Sequence, residues 1–234
     1  MKNIQLKAGI VGLGRWGQIL AKSINEQHSS LLKFTHCFTR TIEKVKTFCN
    51  KYDITICNSY ENLINNNDID IIVLATPHTQ HCEQIIKAAN AKKHVFVEKP
   101  FTLTVKDAVI ALDCAKKNGI KMFMVISSMG ANRSSFFSYS KIKGEMERDV
   151  VKQNIQHTFI LRPSLIGGNR NEFRFGEKIS QIVMKIMDPL LLGSFKKYKM
   201  ISPEKIIRCM IFLANNRPNQ IIYNSDEIQA MSHL

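Results

Sequence analysis

Residues 8–17 read Ala8-Gly9-Ile10-Val11-Gly12-Leu13-Gly14-Arg15-Trp16-Gly17. A short apolar strand over Lys7–Val11 leads into the glycines. Beyond them Ile19, Leu20 and Ile24 recur at helical spacing, which predicts a helix over Gln18–Asn25. Gly12, Gly14 and Gly17 therefore form G-x-G-x-x-G between a strand and a helix, the context in which the pattern has a physical meaning. Gly12 permits the tight turn, Gly14 lets the backbone approach a pyrophosphate, and Gly17 allows the helix to pack closely on the strand. The helix N-terminus adds positive potential where phosphates would lie. Arg15 and Trp16, inside the turn, join the candidate nucleotide contacts.

The alternation continues outward from this turn. Phe34–Phe38 reads as a second strand, Ile42–Tyr52 as a helix, and Ile71–Ala75 as an uninterrupted apolar strand covered on both faces. His81–Ala91 is a helix, His94–Val97 a strand, Thr104–Asn118 an amphipathic helix stopped by Gly119, and Met122–Ile126 another buried strand. The second half adds a charged helix over Tyr139–Gln153, a strand at Thr158–Leu161 and a helix over Gly176–Met187. Ser202 is placed to cap a helix starting at Pro203, and a last short strand is expected at Ile221–Tyr223. Strands alternating with helices imply an α/β fold. The expected form is a Rossmann-like doubly wound parallel sheet with helices on both faces and a small helical C-terminal cap.

With 234 residues, 44% hydrophobic and 22% charged, the chain has the composition of an ordinary globule with a sizeable core. No stretch approaches the roughly 20 apolar residues of a membrane span. The N-terminus runs straight into a strand without a signal-peptide pattern, so the expected compartment is the cytoplasm. The cysteines Cys37, Cys49, Cys57, Cys82, Cys114 and Cys209 are scattered without a C-x-x-C pair. That argues against a metal site and fits reduced core thiols. The net charge of +14 raises nucleic acid as a partner. The lysines, however, are spread along the chain without interleaved aromatics, and a solvated basic surface is the better account.

In NAD-binding folds an acidic residue at the end of the second strand usually holds the ribose 2′-hydroxyl. Here that position reads Phe38-Thr39-Arg40, with no acid, and a guanidinium can pair bidentately with a 2′-phosphate. NADP is therefore expected over NAD.

Residues 6 to about 122 resemble the Gfo/Idh/MocA oxidoreductase family. The residues that carry the likeness are the glycine turn with Trp16, then Ala75-Thr76-Pro77-His78-Thr79-Gln80-His81, then His94-Val95-Phe96-Val97-Glu98-Lys99-Pro100. The resemblance implies that Lys99 lies near the nicotinamide and substrate and assists hydride transfer electrostatically. Pro100 would fix the turn, and Ala75, Thr76, Pro77, His81 and Glu98 would line the cofactor pocket. For His81, plain packing at a helix start is an equally good reading. The family's second domain, an open-faced sheet with an acid/base histidine, has no counterpart after residue 126.

From about residue 104 the chain instead resembles atypical short-chain dehydrogenases/reductases of the Tat-interacting-protein-like subgroup. The match runs through Ile126-Ser127-Ser128-Met129-Gly130-Ala131-Asn132, Tyr139-Ser140-Lys141-Ile142-Lys143-Gly144-Glu145-Met146-Glu147, Leu161-Arg162-Pro163-Ser164 and Glu172–Glu177. Tyr139 and Lys143 are four apart and share one helix face. A lysine ammonium there eases proton loss from a tyrosine and can hold the nicotinamide ribose, so Tyr139 becomes the acid/base and Ser128 the holder of the substrate carbonyl. The chain thus reads as a junction of two Rossmann halves, 1–122 and 123–234, with the second continuing the sheet of the first. That arrangement would set Ser128 and Tyr139 about one strand spacing (~4.8 Å) further from the nicotinamide than usual, with weak or altered activity as the consequence.

Two functions follow. One is an NAD(P)-dependent oxidoreductase acting on the carbonyl or hydroxyl of a small molecule. The other is a non-catalytic NAD(P)-binding regulatory or interaction protein. Leu190, Leu191, Leu192 and Phe195, in the cap segment Pro189–Lys199, are candidates for contact with an apolar substrate or with the second subunit of a homodimer. Ordinary core is the simpler account of them.

Overall fold

The computed structural model describes residues 5–27, 31–167 and 198–233. They form two units, divided between Ile120 and Lys121.

In the first unit the strands β1 (Leu6–Val11), β2 (Leu32–Phe38), β3 (Thr55–Ile56), β4 (Ile71–Leu74) and β5 (His94–Val97) lie parallel in the order β3-β2-β1-β4-β5. Successive strand residues point to opposite faces, so one sheet makes two cores. Ala8, Ile10, Phe34, Cys37 and Val73 pack on one side with Ala21 of α1 (Arg15–Asn25) and Cys49 of α2 (Lys46–Tyr52). Val11, Ile72 and Leu74 pack on the other with Leu63 of α3 (Tyr60–Ile64), Ile85 and Ala88 of α4 (His81–Asn90), and Ala111 of α5 (Val105–Lys117). The helices therefore cover both faces, as the doubly wound pattern requires. The strand order reverses at β1, between β2 and β4, which opens a crevice at the carboxyl ends of β1 and β4.

The second unit has its own parallel sheet, β6 (Met122–Ile126), β7 (His157–Arg162) and β8 (Ile222–Asn224), in that order. Among the described residues its helices are α6 (Ser138–Lys152), α7 (Pro203–Asn216) and α8 (Ser225–Met231). Phe159, Leu161, Ile206, Cys209, Leu213, Tyr223 and Ile228 form its core.

Among the described residues the strands thus sort into two sheets, where one continuous sheet was expected. The cause is the quality of the partner. β7 places Phe159, Ile160 and Leu161 at no more than 1% exposure and pairs with β6 over five consecutive positions, whereas β5 alternates exposed and half-buried residues and ends its sheet.

The helix expected over Ile42–Tyr52 breaks into a 3₁₀ turn (Ile42–Lys44) and α2, because Val45 at the break turns its side chain into the core. The expected Ser202 cap forms, accepting from the Lys205 amide, and Thr104, read as the first residue of its helix, is instead the N-cap and accepts from the Asp107 amide. The expected helix over 176–187 and the residues 190–195 lie outside the described residues. No described helix is long and apolar enough to cross a membrane.

Candidate functional site: a glycine turn and two loops on the first sheet

Gly12 adopts φ +87°, and a Cβ there would fall 2.6 Å from the Ala75 carbonyl oxygen. Its amide donates to the Phe38 carbonyl (2.9 Å), and the Ala75 amide donates to Val11 (2.9 Å), so the ends of β1, β2 and β4 are laced together at the turn. A Cβ on Gly17 would collide with the Gly12 carbonyl oxygen, which fixes α1 directly on the turn. Gly14 differs: a Cβ there would meet nothing within 4 Å. It is the N-cap of α1 and offers no side-chain cap, so the first turn of the helix opens toward free space at the crevice. This is a cradle of the shape a pyrophosphate needs, and the residues fit the group. Trp16 is 51% exposed beside it. Arg15 is exposed as well.

At the end of β2, Thr39 is half-buried and Arg40 exposed; among the described residues Arg40 makes no hydrogen bond or ion pair. Next to this end, Phe38, Ser59, Tyr60, Gln80, Gln84 and Lys87 line a cavity of about 320 Å³. Gln84 organises its wall: it accepts from Thr76 Oγ1 (2.6 Å), donates to Gln80 (3.2 Å), and its carbonyl receives the Tyr60 hydroxyl (2.7 Å). Burial pushes the Tyr60 phenol well above its ordinary range, so it remains a donor. Sequence reasoning missed Gln84 and Tyr60. The only signal was a polar residue one turn after Gln80 on the inner side of α4.

After β4, Ala75, Thr76 and Pro77 sit at the crevice, half-buried or exposed. His81 is fully buried, with Nδ1 2.8 Å from the Pro100 carbonyl oxygen and Nε2 3.0 Å from that of Thr76. Both ring nitrogens are engaged with protein, so its side chain does not line the crevice as the family likeness implied. The packed reading of this histidine is the one observed. After β5, Glu98 is half-buried and Lys99 exposed, and the Lys99–Pro100 peptide is cis.

In the second unit, Ser127 and Ser128 follow β6. The Ser127 amide donates to Leu161 (2.7 Å), yet both hydroxyl oxygens are buried without a hydrogen-bond partner among the described residues. Tyr139, on the first turn of α6, is 64% exposed, and the Lys143 ammonium lies over its ring at 5.9 Å from the centroid. Gly144 lets α6 approach the loop after β6, since a Cβ there would fall 2.5 Å from the Arg133 amide nitrogen. Glu147 is buried and takes Arg162 Nε in a forked contact (2.9 and 3.1 Å), with Nη2 closing the pair. These bonds raise the guanidinium above its already high range.

A parallel α/β unit with this turn at its switch point defines a Rossmann domain of the dinucleotide-binding class. The chain belongs to the Gfo/Idh/MocA family, whose model, described as an oxidoreductase family with an NAD-binding Rossmann fold, matches residues 6–126. Among curated proteins the chain is 29% identical over 144 residues to the uncharacterized oxidoreductase YrbE of Bacillus subtilis, covering 61% of this chain and 40% of that one. It is 49% identical over 70 residues to the mitochondrial protein FMP52 of Candida albicans, covering 30% and 31%. Among solved structures, scyllo-inositol dehydrogenase from Lactobacillus casei with bound NAD(H) and scyllo-inositol is similar at 27% identity and a TM-score of 0.46, covering 49% of this chain and 34% of that one. The chain spans 31–40% of the length of these two curated relatives.

Proposed function

We propose that the protein is an NAD(P)-dependent oxidoreductase that prefers NADP and moves hydride to or from the carbonyl or hydroxyl of a small molecule. The observation that carries this reading is the glycine turn: Gly12 in its left-handed conformation, Gly17 packed on it, and Gly14 open toward the crevice. When bound, the nicotinamide supplies the hydride chemistry. Gly14 and the first turn of α1 hold the pyrophosphate, and Arg40 pairs with the 2′-phosphate. Lys99 contributes a positive charge that favours the transition state as charge develops on the substrate oxygen. Within the second unit by itself, Tyr139, with Lys143 over its ring, is the group we assign to proton transfer, and Ser128 the hydroxyl that holds a substrate carbonyl. The orphan hydroxyls of Ser127 and Ser128 support a ligand there, because buried polar groups are rarely left unpaired. Six free cysteines fit a reducing compartment such as the cytoplasm.

The test is a titration with NADPH and NADH followed by nicotinamide fluorescence. Saturable binding that favours NADPH is expected, and no binding of either overturns the reading. A second reading, a nucleotide-binding interaction protein, is favoured by the exposed apolar side chains Phe136, Phe137, Tyr139 and Ile142 around the start of α6. Tyr139→Phe separates the two: lost turnover with retained NADPH binding supports the enzyme, while unchanged turnover removes Tyr139 from the chemistry.

A further inference from the structure

Lys99 is placed by its neighbours. On one side the Glu98 amide donates to the Leu74 carbonyl (3.2 Å), the last bond of the β4–β5 ladder. On the other side the Pro100 carbonyl meets His81 Nδ1 (2.8 Å), and Phe101 packs onto the core under α4 and α5. Between these anchors the Lys99 side chain is exposed and makes no hydrogen bond among the described residues. Its backbone is fixed on both sides while its ammonium stands in solvent.

His81 is the link that makes the second anchor. It opens α4, is fully buried, and reaches from the loop after β5 to the loop after β4, where Nε2 meets the Thr76 carbonyl (3.0 Å). Carbonyl oxygens only accept, so both contacts are hydrogen bonds only in the doubly protonated ring; a neutral ring donates to one carbonyl and packs against the other. Thr76 is held from its other end by Gln84 (2.6 Å). The two loops that border the carboxyl ends of β4 and β5 are thus joined through one side chain.

We infer that His81 is a positioning residue, a clamp that fixes the Lys99-Pro100 segment against the Thr76-Pro77 segment and so sets where the Lys99 ammonium stands. This rests on the reading that Lys99 lies beside the nicotinamide. It replaces a direct role for His81 in holding the cofactor.

Amide hydrogen exchange on the cofactor-free protein tests the clamp. In His81→Ala, exchange of the Glu98 amide, which donates to Leu74 just before the lost anchor, rises about tenfold or more while residues 8–17 keep their protection. In His81→Gln, whose amide offers two donors, part of that protection returns. Unchanged exchange at Glu98, or an equal rise throughout the first unit, overturns the proposal. Should His81→Ala fail to fold, the wild-type imidazole decides: a protected ring N–H proton is expected, and one exchanging at the rate of free imidazole overturns the clamp.

NADPH fluorescence supplies the link to Lys99. His81→Ala and Lys99→Ala should alter the emission of bound NADPH in the same direction. The double variant should go no further than Lys99→Ala alone, since one acts through the other. Additive changes overturn the positioning role. If Lys99→Ala leaves the emission unaltered while the exchange result holds, it is the placement of Lys99 at the nicotinamide that fails, and the clamp stands.

Discussion

Gly17 sits so close to the Gly12 carbonyl oxygen that a Cβ at residue 17 has no room, whereas two residues beyond Gly12 a Cβ on Gly14 would meet nothing within 4 Å. The glycines of one motif therefore have different tasks, and substitution separates them. Gly17→Ala forces α1 off the turn, at a cost of about 1–3 kcal/mol, visible as a lower urea midpoint. Gly14→Ala, at φ −71°, is free of strain and should hold stability within about 0.5 kcal/mol. Its methyl group nevertheless occupies the space a pyrophosphate needs, so NADPH affinity should fall about tenfold or more. Full affinity in Gly14→Ala would place the phosphates elsewhere.

Arg40 is exposed at the end of β2 and makes no protein bond among the described residues, so its removal leaves the fold intact. Charge-assisted hydrogen bonds are worth about 1.5–3 kcal/mol. Arg40→Ala should weaken NADPH by about ten- to a hundredfold and leave NADH as it was. An equal loss for both cofactors would show that Arg40 serves the pyrophosphate or the general field, and the NADP preference would lose its basis.

These two predictions were legible before the fold, because the glycine spacing and the missing acid after β2 are local signals. β4 was equally legible: Ile71–Leu74 is apolar throughout, as a strand covered on both faces must be. What could not be read was the pairing of β6. Its five residues suit any parallel neighbour, and only the burial of Phe159, Ile160 and Leu161 decides that β7 is that neighbour. β3, with two residues, and α3, with five, are too short to show a period. The helix α8 went unread: Asn224 and Glu227 form a reciprocal capping box, a pattern that carries weight only beside a recognised apolar face. His81 shows the opposite limit. The family resemblance implied a cofactor contact beside an equally good packing reading, and what surrounds the ring is two backbone carbonyls, one 5 and one 19 positions away in the chain.

Glu147 and Arg162 join α6 to β7 in the second unit, with the carboxylate side chain 4% and the guanidinium 24% exposed. Removing one partner leaves a partly buried charge uncompensated, which costs about 3–5 kcal/mol when the site is dry. The water that still reaches Arg162 puts Glu147→Ala near the lower end. Replacing both residues by methionine removes the uncompensated charge and should recover most of the loss. Urea denaturation of the single and double variants measures this, and a double variant no more stable than Glu147→Ala would mean that packing, and not charge, sets the cost.

Cys209 gives the second unit an alkaline limit. It is fully buried on α7, and desolvation, followed by the nearby Glu227 carboxylate, pushes its thiol up to about 11 from an ordinary 9.0. The unfolded chain releases this proton near its ordinary value, while the folded chain retains it to about 11. Within that window the folded state binds more protons, so its stability is fully present below pH 9 and declines as pH rises toward 11. Tyr223, in the same core, is pushed up to about 12 from 10.0, chiefly by burial, and extends the decline upward. Cys209→Ala lowers stability at every pH through lost packing, but it removes the thiol's share of the slope. Urea midpoints followed from about pH 8 to about pH 11 should therefore fall more steeply for the wild type than for Cys209→Ala. Parallel slopes would mean that Cys209 keeps its ordinary acidity in the folded protein, and the alkaline decline would then belong to the other groups that burial raises, Tyr223 in this core and Cys37 and Tyr60 in the first unit among them.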